Sequence, residues 1–210
     1  MDKDFTKTIL PANVNVIIKG RMVIMKPISQ KEINEHYISW LNNPETNKFL
    51  EVRHKKQSIE DVINYVNTLR TKPCCELFAV FTKKEHIHIG NVAITHYNPD
   101  NQGYAIYGLL IGDPRARMLG LGGEATVLII EYIFRNPDIR RIQGGVIADN
   151  YSAWRVLESS GFKREGVLRK HAVLLSGKIS DSYLYGILRE EWFSNHAKIA
   201  SLLKDMKVLD

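Results

Sequence analysis

The sequence predicts an α/β domain with a mixed, largely antiparallel sheet flanked by helices, and three observations point to it. First, three β-rich runs, "ELFAVFT", "HIGNVAITHY" and "GYAIYGLLIG", are joined by the polar turns "KKEH" and "NPDNQ", short enough for antiparallel hairpins. Second, two amphipathic helical patterns precede most of these strands. Third, a glycine-dense turn after the last run opens an alternation of helix, strand and helix.

Taken in order, "VNVIIKGRMVIMKP" reads as two short strands around Lys19-Gly20-Arg21. Ser29 followed by Glu32 is a capping box that predicts a helix carrying Ile33, Tyr37, Trp40 and Leu41 on one side. "NNPETNKFLEVRH" breaks it, and Ser58 with Asp61 starts a second helix whose Ile59, Val62, Ile63 and Val66 fall at helical spacing. Behind the glycines, "EATVLIIEYIFRN" reads as helix, "IRRIQGGVI" as strand and "NYSAWRVLESSG" as a helix closed by Gly161. Two last strands turn at Ser176-Gly177-Lys178, and a C-terminal helix is expected from about Glu190 to Met206.

Length and composition set the frame. With 210 residues, 44% of them hydrophobic, the chain can bury a sizeable core, and no composition break divides it, so residues 1–210 are read as one domain. No apolar run reaches the length of a membrane span, and Asp2, Lys3, Asp4 and Lys7 interrupt any signal-like stretch, so a cytoplasmic protein with no membrane partner is expected. Cys74 and Cys75 are adjacent, which suits neither an unstrained disulfide nor a complete metal site, and they are read as reduced thiols with no metal expected. The net charge of +6 is spread without a dense basic tract or interleaved aromatics. That argues against nucleic acid and leaves room for a polyanionic small molecule.

The segment "RMLGLGGEA" holds three glycines in four positions, Gly120, Gly122 and Gly123, between a strand and a helix. Such a turn frees backbone N–H groups to bind an anion at the positive helix end. "GLGGEA" fits the dinucleotide fingerprint, yet eight residues separate Ile111 from Gly120 and the preceding strands read as hairpins rather than a parallel β-α-β unit. A P-loop is excluded because no Gly-Lys-Ser/Thr ending is present. A third pattern, Arg/Gln-x-x-Gly-x-Gly/Ala, is met by Arg117, Gly120 and Gly122.

That pattern resembles the acetyl-CoA motif of the GNAT N-acetyltransferases. "ADNYSAWRVLESSGFKREG" is similar to the next block of that superfamily, here Asn150, Ala153, Gly161 and Phe162, and "DSYLYGILREEW" resembles the closing strand of its ribosomal-protein-alanine-acetyltransferase-like branch. The resemblance runs from about Ile17 to Trp192. It implies a sheet splayed at the acetyl-CoA site, with the backbone of Leu110, Ile111 and Gly112 meeting the pantetheine arm as an added strand would. It also implies a pyrophosphate on the N–H groups of Arg117, Met118, Leu119, Gly120, Leu121, Gly122 and Gly123, with Asn150 and Ser152 as further cofactor contacts. Met118-Leu119 stands where the family often has Gly-Lys. Arg117 is read either as a phosphate ligand or as solvated surface, and Asn150 as a cofactor ligand, a helix N-cap, or both.

The resemblance also locates the usual proton-transfer groups, a Glu in the strand before the loop and a Tyr in the later helix. Here those positions hold Ile106 and Leu157, neither of which moves a proton. Either the chain binds acyl-CoA without turnover, or other groups act on an amine more acidic than that of lysine. The replacement candidates are His96 and Glu51 for catalysis and Tyr97 and Asp181 beside substrate, while Tyr104 and Tyr107 are read as packing residues. "HYISWLNNPETNKFLEVRHKKQS" resembles the helix-loop segment of GNAT enzymes that acetylate nucleotide-linked amino sugars for surface polysaccharides, which implies Trp40 and Arg53 as substrate contacts. The loop "RHKK" suits a charged nucleotide sugar or a solvated surface equally. A protein N-terminus is the alternative acceptor, and a homodimer is compatible with the sequence.

Overall fold

The computed structural model describes residues 9–98 and 103–209, so the N-terminal eight residues and nearly all of the "NPDNQ" turn lie outside the described residues. The strands are β1 (Ile17–Lys19), β2 (Val23–Pro27), β3 (Glu76–Thr82), β4 (His88–Asn98), β5 (Tyr104–Ile111), β6 (Arg141–Ile147), β7 (Lys163–Val173), β8 (Ile179–Leu188) and β9 (Lys207–Leu209). The helices are α1 (Glu35–Asn42), α2 (Pro44–Asn47), α3 (Ile59–Arg70), α4 (Leu121–Ile133), α5 (Tyr151–Ser159), α6 (Arg189–Ser194) and α7 (His196–Leu203). Short 3₁₀ turns cover Glu51–His54 and Pro114–Ala116.

One sheet runs β7-β8-β6-β5-β4-β3-β2-β1-β9, antiparallel throughout except for the parallel pair β5–β6. Alternation along β3 shows how the layers form: Phe78 and Val80 join the core under α4, α5 and the C-terminal helices, whereas Leu77 and Ala79 join the core under α1 and α3. Among the described residues, the α1/α3 cluster draws none from β6, β7 or β8, so that half of the face has no share in this core.

Three sequence expectations are corrected. The Ser29–Glu32 bonds form, with both the N–H and the hydroxyl of Ser29 on the Glu32 carboxylate, but they close a turn in which Glu32 also pairs with Lys26. The helix starts later, at Glu35, capped by Asn34 accepting from the Tyr37 N–H. Helix α4 begins at Leu121 rather than Glu124, which puts Gly122 and Gly123 inside its first turn. The expected C-terminal helix is two helices broken at Asn195, whose amide bonds back to the Glu191 carbonyl, and the chain then adds β9 to the edge of β1. The break lets buried Trp192 donate to Glu131 while Ile199 packs into the same core.

Helix α3 is fastened to β3 by a buried ion pair. The Arg70 guanidinium donates to both Glu76 oxygens and to the carbonyls of Leu10 and Ile28. Replacing Glu76 with alanine strands a buried charge, so Glu76→Ala is expected to lower stability by about 3 kcal/mol in urea titration. An unchanged midpoint would show that the pair is solvated.

Candidate active site

The site follows from the way β5 and β6 part. Only Tyr104–Arg141, Ala105–Ile142 and Ile106–Gln143 pair across them, although the strands continue to Ile111 and Ile147. From Tyr107 and Gly144 onward the two strands no longer pair with each other, which opens a wedge. Helices α4 and α5 are the next α-helices after these parallel strands, α4 beyond the 3₁₀ turn and α5 within four residues, so both N-termini, the positive ends, stand at the open end of the wedge.

The loop between β5 and α4 is built from its own polar groups. Gly112 and Asp113 donate their N–H groups to the Ile89 carbonyl, and the Asp113 carboxylate accepts from the Arg115 N–H and guanidinium. That guanidinium holds the Asp113 carboxyl below the usual carboxylate range. Beyond Arg117 the pattern changes. The six successive N–H groups of Met118, Leu119, Gly120, Leu121, Gly122 and Gly123 have no hydrogen-bond partner among the described residues, and α4 has no side-chain cap. Unpaired backbone donors of this kind are filled by water or by an anion.

Each glycine has a separate reason. Gly120 sits at φ +78°, in the left-handed region. A Cβ on Gly122 would stand 3.3 Å from both Leu109 and Ile111, so its absence seats α4 close on β5. At Gly123 a Cβ would meet nothing within 4 Å, so nothing inside the chain requires glycine there. The space in front of Gly123 suits a ligand pressed against the backbone. Met118 adopts φ +61° with its side chain fully exposed, and Leu119 is exposed beside it. Behind the turn, buried Glu124 accepts from the Arg21 and Met22 N–H groups, and a side chain on Gly20 would collide with that carboxylate at 2.3 Å.

The predicted cofactor residues fall around this wedge, and Arg117 has a structural part as well. The Arg117 guanidinium donates to the carbonyls of Ile111 and Gly112 and, at 2.7 Å, to the Thr46 hydroxyl. It braces the end of β5 against α2. Asn150 is the N-cap of α5, accepting from the Ala153 N–H, and its Nδ2 has no partner among the described residues. Ser152 is exposed on the same turn.

The residues expected at substrate are largely structural. Trp40 is buried against Gly112, where a Cβ would lie 2.2 Å from the indole, and its ring meets His88 edge-on at 5.0 Å. Arg53 has a side chain only 4% exposed, and its donors go to the carbonyls of Leu50 and Val173. It pins the 3₁₀ turn to the β7–β8 hairpin and has no free face for a phosphate. Tyr97 lies opposite Ala105 at the far end of β5 and bonds Asn136, with burial raising its phenol above the usual value. Asp181 accepts from the Lys170 N–H in the irregular stretch of β7, where Lys170 has φ +54°. Glu51 is 93% exposed beside Arg53, an ordinary surface carboxylate.

His96 is placed by a bulge. Pairing shifts between Ile94 and His96, leaving Thr95 as the extra residue. Ile94 belongs to the α4-side core, so an unbroken strand would turn His96 to that side. The shift pairs it with Ile106 on the other face, at the vertex of the wedge, where its ring stacks on Tyr104 at 4.4 Å and its buried Nε2 has no hydrogen-bond partner among the described residues. Ile106 stays apolar at the vertex and Leu157 is buried in the core. Two adjoining clefts of about 360 and 320 Å³ separate the α2 segment from the hairpin tip and share Pro44 and Leu175. Among the described residues no group of His, Cys, Asp and Glu could hold a metal ion, and no helix is long and apolar enough to cross a membrane. Sequence reasoning did not single out Thr46, Gln143 or Glu124. Only Glu124 carried a local signal, as the acidic residue directly behind the glycines.

A row of unpaired N–H groups at a helix start stands next to a strand edge that its parallel neighbour has left. The acetyltransferase (GNAT) domain family matches residues 22–163, and the chain belongs to that family. It is 31% identical over 114 residues to "Probable N-acetyltransferase YjcK" of Bacillus subtilis (strain 168), covering 54% of this chain and 62% of that protein. It is also 25% identical over 153 residues to "Uncharacterized N-acetyltransferase p20" of Bacillus licheniformis, covering 72% and 84%. The match to YjcK thus spans just under two thirds of that relative's length. The fold is similar to that of a spermidine N-acetyltransferase from Vibrio cholerae in complex with CoA and spermine, with TM-score 0.71, 18% identity and coverage of 82% of this chain and 98% of that one.

Two expected outcomes test the site. Gly123→Ala is expected to leave stability unchanged or raise it by up to about 1 kcal/mol, as for Gly to Ala within a helix, while weakening CoA about ten-fold or more in calorimetry; undiminished affinity would remove the ligand from that space. His88, packed on the Trp40 that braces Gly112, has its imidazole pushed below the ordinary 6.5, chiefly by burial and against the pull of Asn91. The neutral form is therefore favoured on folding, so stability present above pH 6.5 is lost as pH falls through the lower folded value. Thermal melts from pH 7.5 to 5 are expected to show that loss, diminished in His88→Phe.

Proposed function

We propose that this chain transfers acetyl from acetyl-CoA to a primary amine, and that the amine belongs to a nucleotide-linked amino sugar. One observation carries the first part: six consecutive unpartnered N–H groups at the start of α4, beside a β5 edge released by β6. In this reading the N–H groups from Met118 to Gly123 hold the pyrophosphate, and the backbone of Leu110, Ile111 and Gly112 pairs with the pantetheine arm. Asn150 Nδ2 and the Ser152 hydroxyl add donors from the second helix. Acetyl-CoA supplies an acetyl group already activated as a thioester. The chain's part is to bind it, to aim a β5 N–H at its carbonyl oxygen, and to take a proton from the incoming amine.

His96 is the proton acceptor in this scheme, one strand away from the usual carboxylate position that Ile106 occupies. The unpartnered Nε2 supports it, and an imidazole suits an amine that needs little help to lose a proton. For the acceptor, the clefts are lined by Lys48, Lys55 and Lys56 against the carboxylates of Glu45 and Asp149; Lys48 pairs with Glu45 and Lys55 with Asp61, whereas Lys56 has no ion-pair partner among the described residues. That basic lining favours an anionic acceptor over a polyamine such as the spermine bound by the Vibrio cholerae neighbour. A second structural neighbour, at TM-score 0.70, is a ribosomal L7/L12 alpha-N-protein acetyltransferase, which keeps a protein N-terminus as the alternative acceptor.

The test is thiol release from acetyl-CoA against parallel panels of amino nucleotide sugars, N-terminal peptides, aminoglycosides and polyamines. Turnover confined to an amino nucleotide sugar is expected, with His96→Gln lowering kcat by about 100-fold. Turnover on peptides alone would move the chain to the protein-acetylating reading. CoA binding without any turnover would make Ile106 and Leu157 the signature of a binding protein.

A further inference from the structure

Gln143 is the other neighbour of Ile106. The last parallel pair before the wedge is Ile106–Gln143, and Ile106 also pairs with His96 on its opposite side. Cross-strand partners share a face, so His96, Ile106 and Gln143 form a row across three strands at the vertex. The face is the one away from α4, because Ala105, Tyr107 and Ile142 all belong to the α4-side core.

The Gln143 amide is held by an unusual amount of structure. Its Oε1 accepts from the Arg141 Nε at 2.9 Å, which leaves the two Nε2 hydrogens as the free donors. The Arg141 guanidinium is fixed in turn by both oxygens of Glu165, Nη1 at 2.7 Å from Oε1 and Nη2 on Oε2. This pair lies across β8 at Gly186, where a Cβ would stand 2.6 Å from both Arg141 Nη2 and Glu165 Oε1. Gly186 is also the β8 partner of Gln143. Three strands thus cooperate to orient one amide, and its Nε2 has no partner among the described residues.

We propose that Gln143 is the residue that selects and positions the acceptor amine: its Nε2 donates to an oxygen carried on the carbon next to the amine-bearing carbon. This rests on the acetyl-transfer reading above. Ile106 offers that oxygen nothing, and His96 on the other flank is left for the amine itself. The substrate class follows from the donor set. An amine with a neighbouring hydroxyl or carbonyl satisfies Gln143, as an amino sugar or an amino acid residue does. A polyamine presents only donors once protonated and leaves the amide unpaired, and a site built to hydrogen-bond an oxygen discriminates against ligands that lack it. Arg141 and Glu165 are positioning residues, acting on substrate only through the orientation of Gln143.

The experiment is calorimetric binding of matched amines to the full chain saturated with CoA, with each Kd corrected for the fraction of neutral amine. The probes are trans-2-aminocyclohexanol against cyclohexylamine, and a 4-amino nucleotide sugar against its 3-deoxy analogue. The wild type is expected to prefer the oxygenated member of each pair by about ten-fold, the scale of one hydrogen bond to a placed donor. Gln143→Leu is expected to bring each pair to parity, with Gln143→Met as a second variant and thermal melts confirming that both fold. Glu165→Gln is expected to shrink the preference while CoA affinity stays unchanged. Equal affinities within each pair in the wild type, or a full preference in both Gln143 variants, would overturn the assignment. Loss of CoA binding itself would count against the acetyl-transfer reading, so the two failures are separable.

Discussion

The organising constraint is the bookkeeping of backbone hydrogen bonds where β5 and β6 separate. Two parallel strands that pair for three residues and then diverge leave edge groups that a folded chain normally satisfies internally. Among the described residues, no other strand closes that wedge. The rest of the site can be read as consequences: helices start at its mouth with bare N–H groups, glycines keep side chains away from it, and polar residues collect at its vertex.

Holding such a gap open requires bracing from outside it. Glu124 ties the first turn of α4 to the β1–β2 turn, Trp40 fills the space that Gly112 vacates, and Arg53 joins the 3₁₀ turn to the β7–β8 hairpin. These contacts are buried and directional, so the site is framed by three separate attachments to the sheet instead of by the loop alone. Several side chains that chemistry would assign to substrate are spent on this framing. Buried arginines donating to backbone carbonyls illustrate the point, since a charge inside a protein is tolerated only when its donors are met.

Strand and helix identities were legible in the sequence because they rest on local periodicity, and "ELFAVFT" matches β3 residue for residue. The glycine turn was legible because backbone access is written in residue type. Roles that depend on long-range partners were not. Arg117 meets Thr46 from 71 positions away and Arg53 meets Val173 across 120, distances over which no spacing rule operates. The orientation of His96 was hidden for a different reason: a single extra residue in β4 reverses the face, and alternation alone assigns it to the wrong side. The C-terminal break at Asn195 was missed because the hydrophobic pattern runs through it, and only the demands of Trp192 and Ile199 on one core explain it.

Arg117 joins the carbonyls at the end of β5 to the hydroxyl of Thr46, in the segment that walls the clefts. One guanidinium therefore belongs to both halves of the site, the strand that lines the wedge and the wall that faces the clefts. Displacing the wall therefore tugs on the strand. The tether couples the two elements mechanically, so a shift in either is felt by the other.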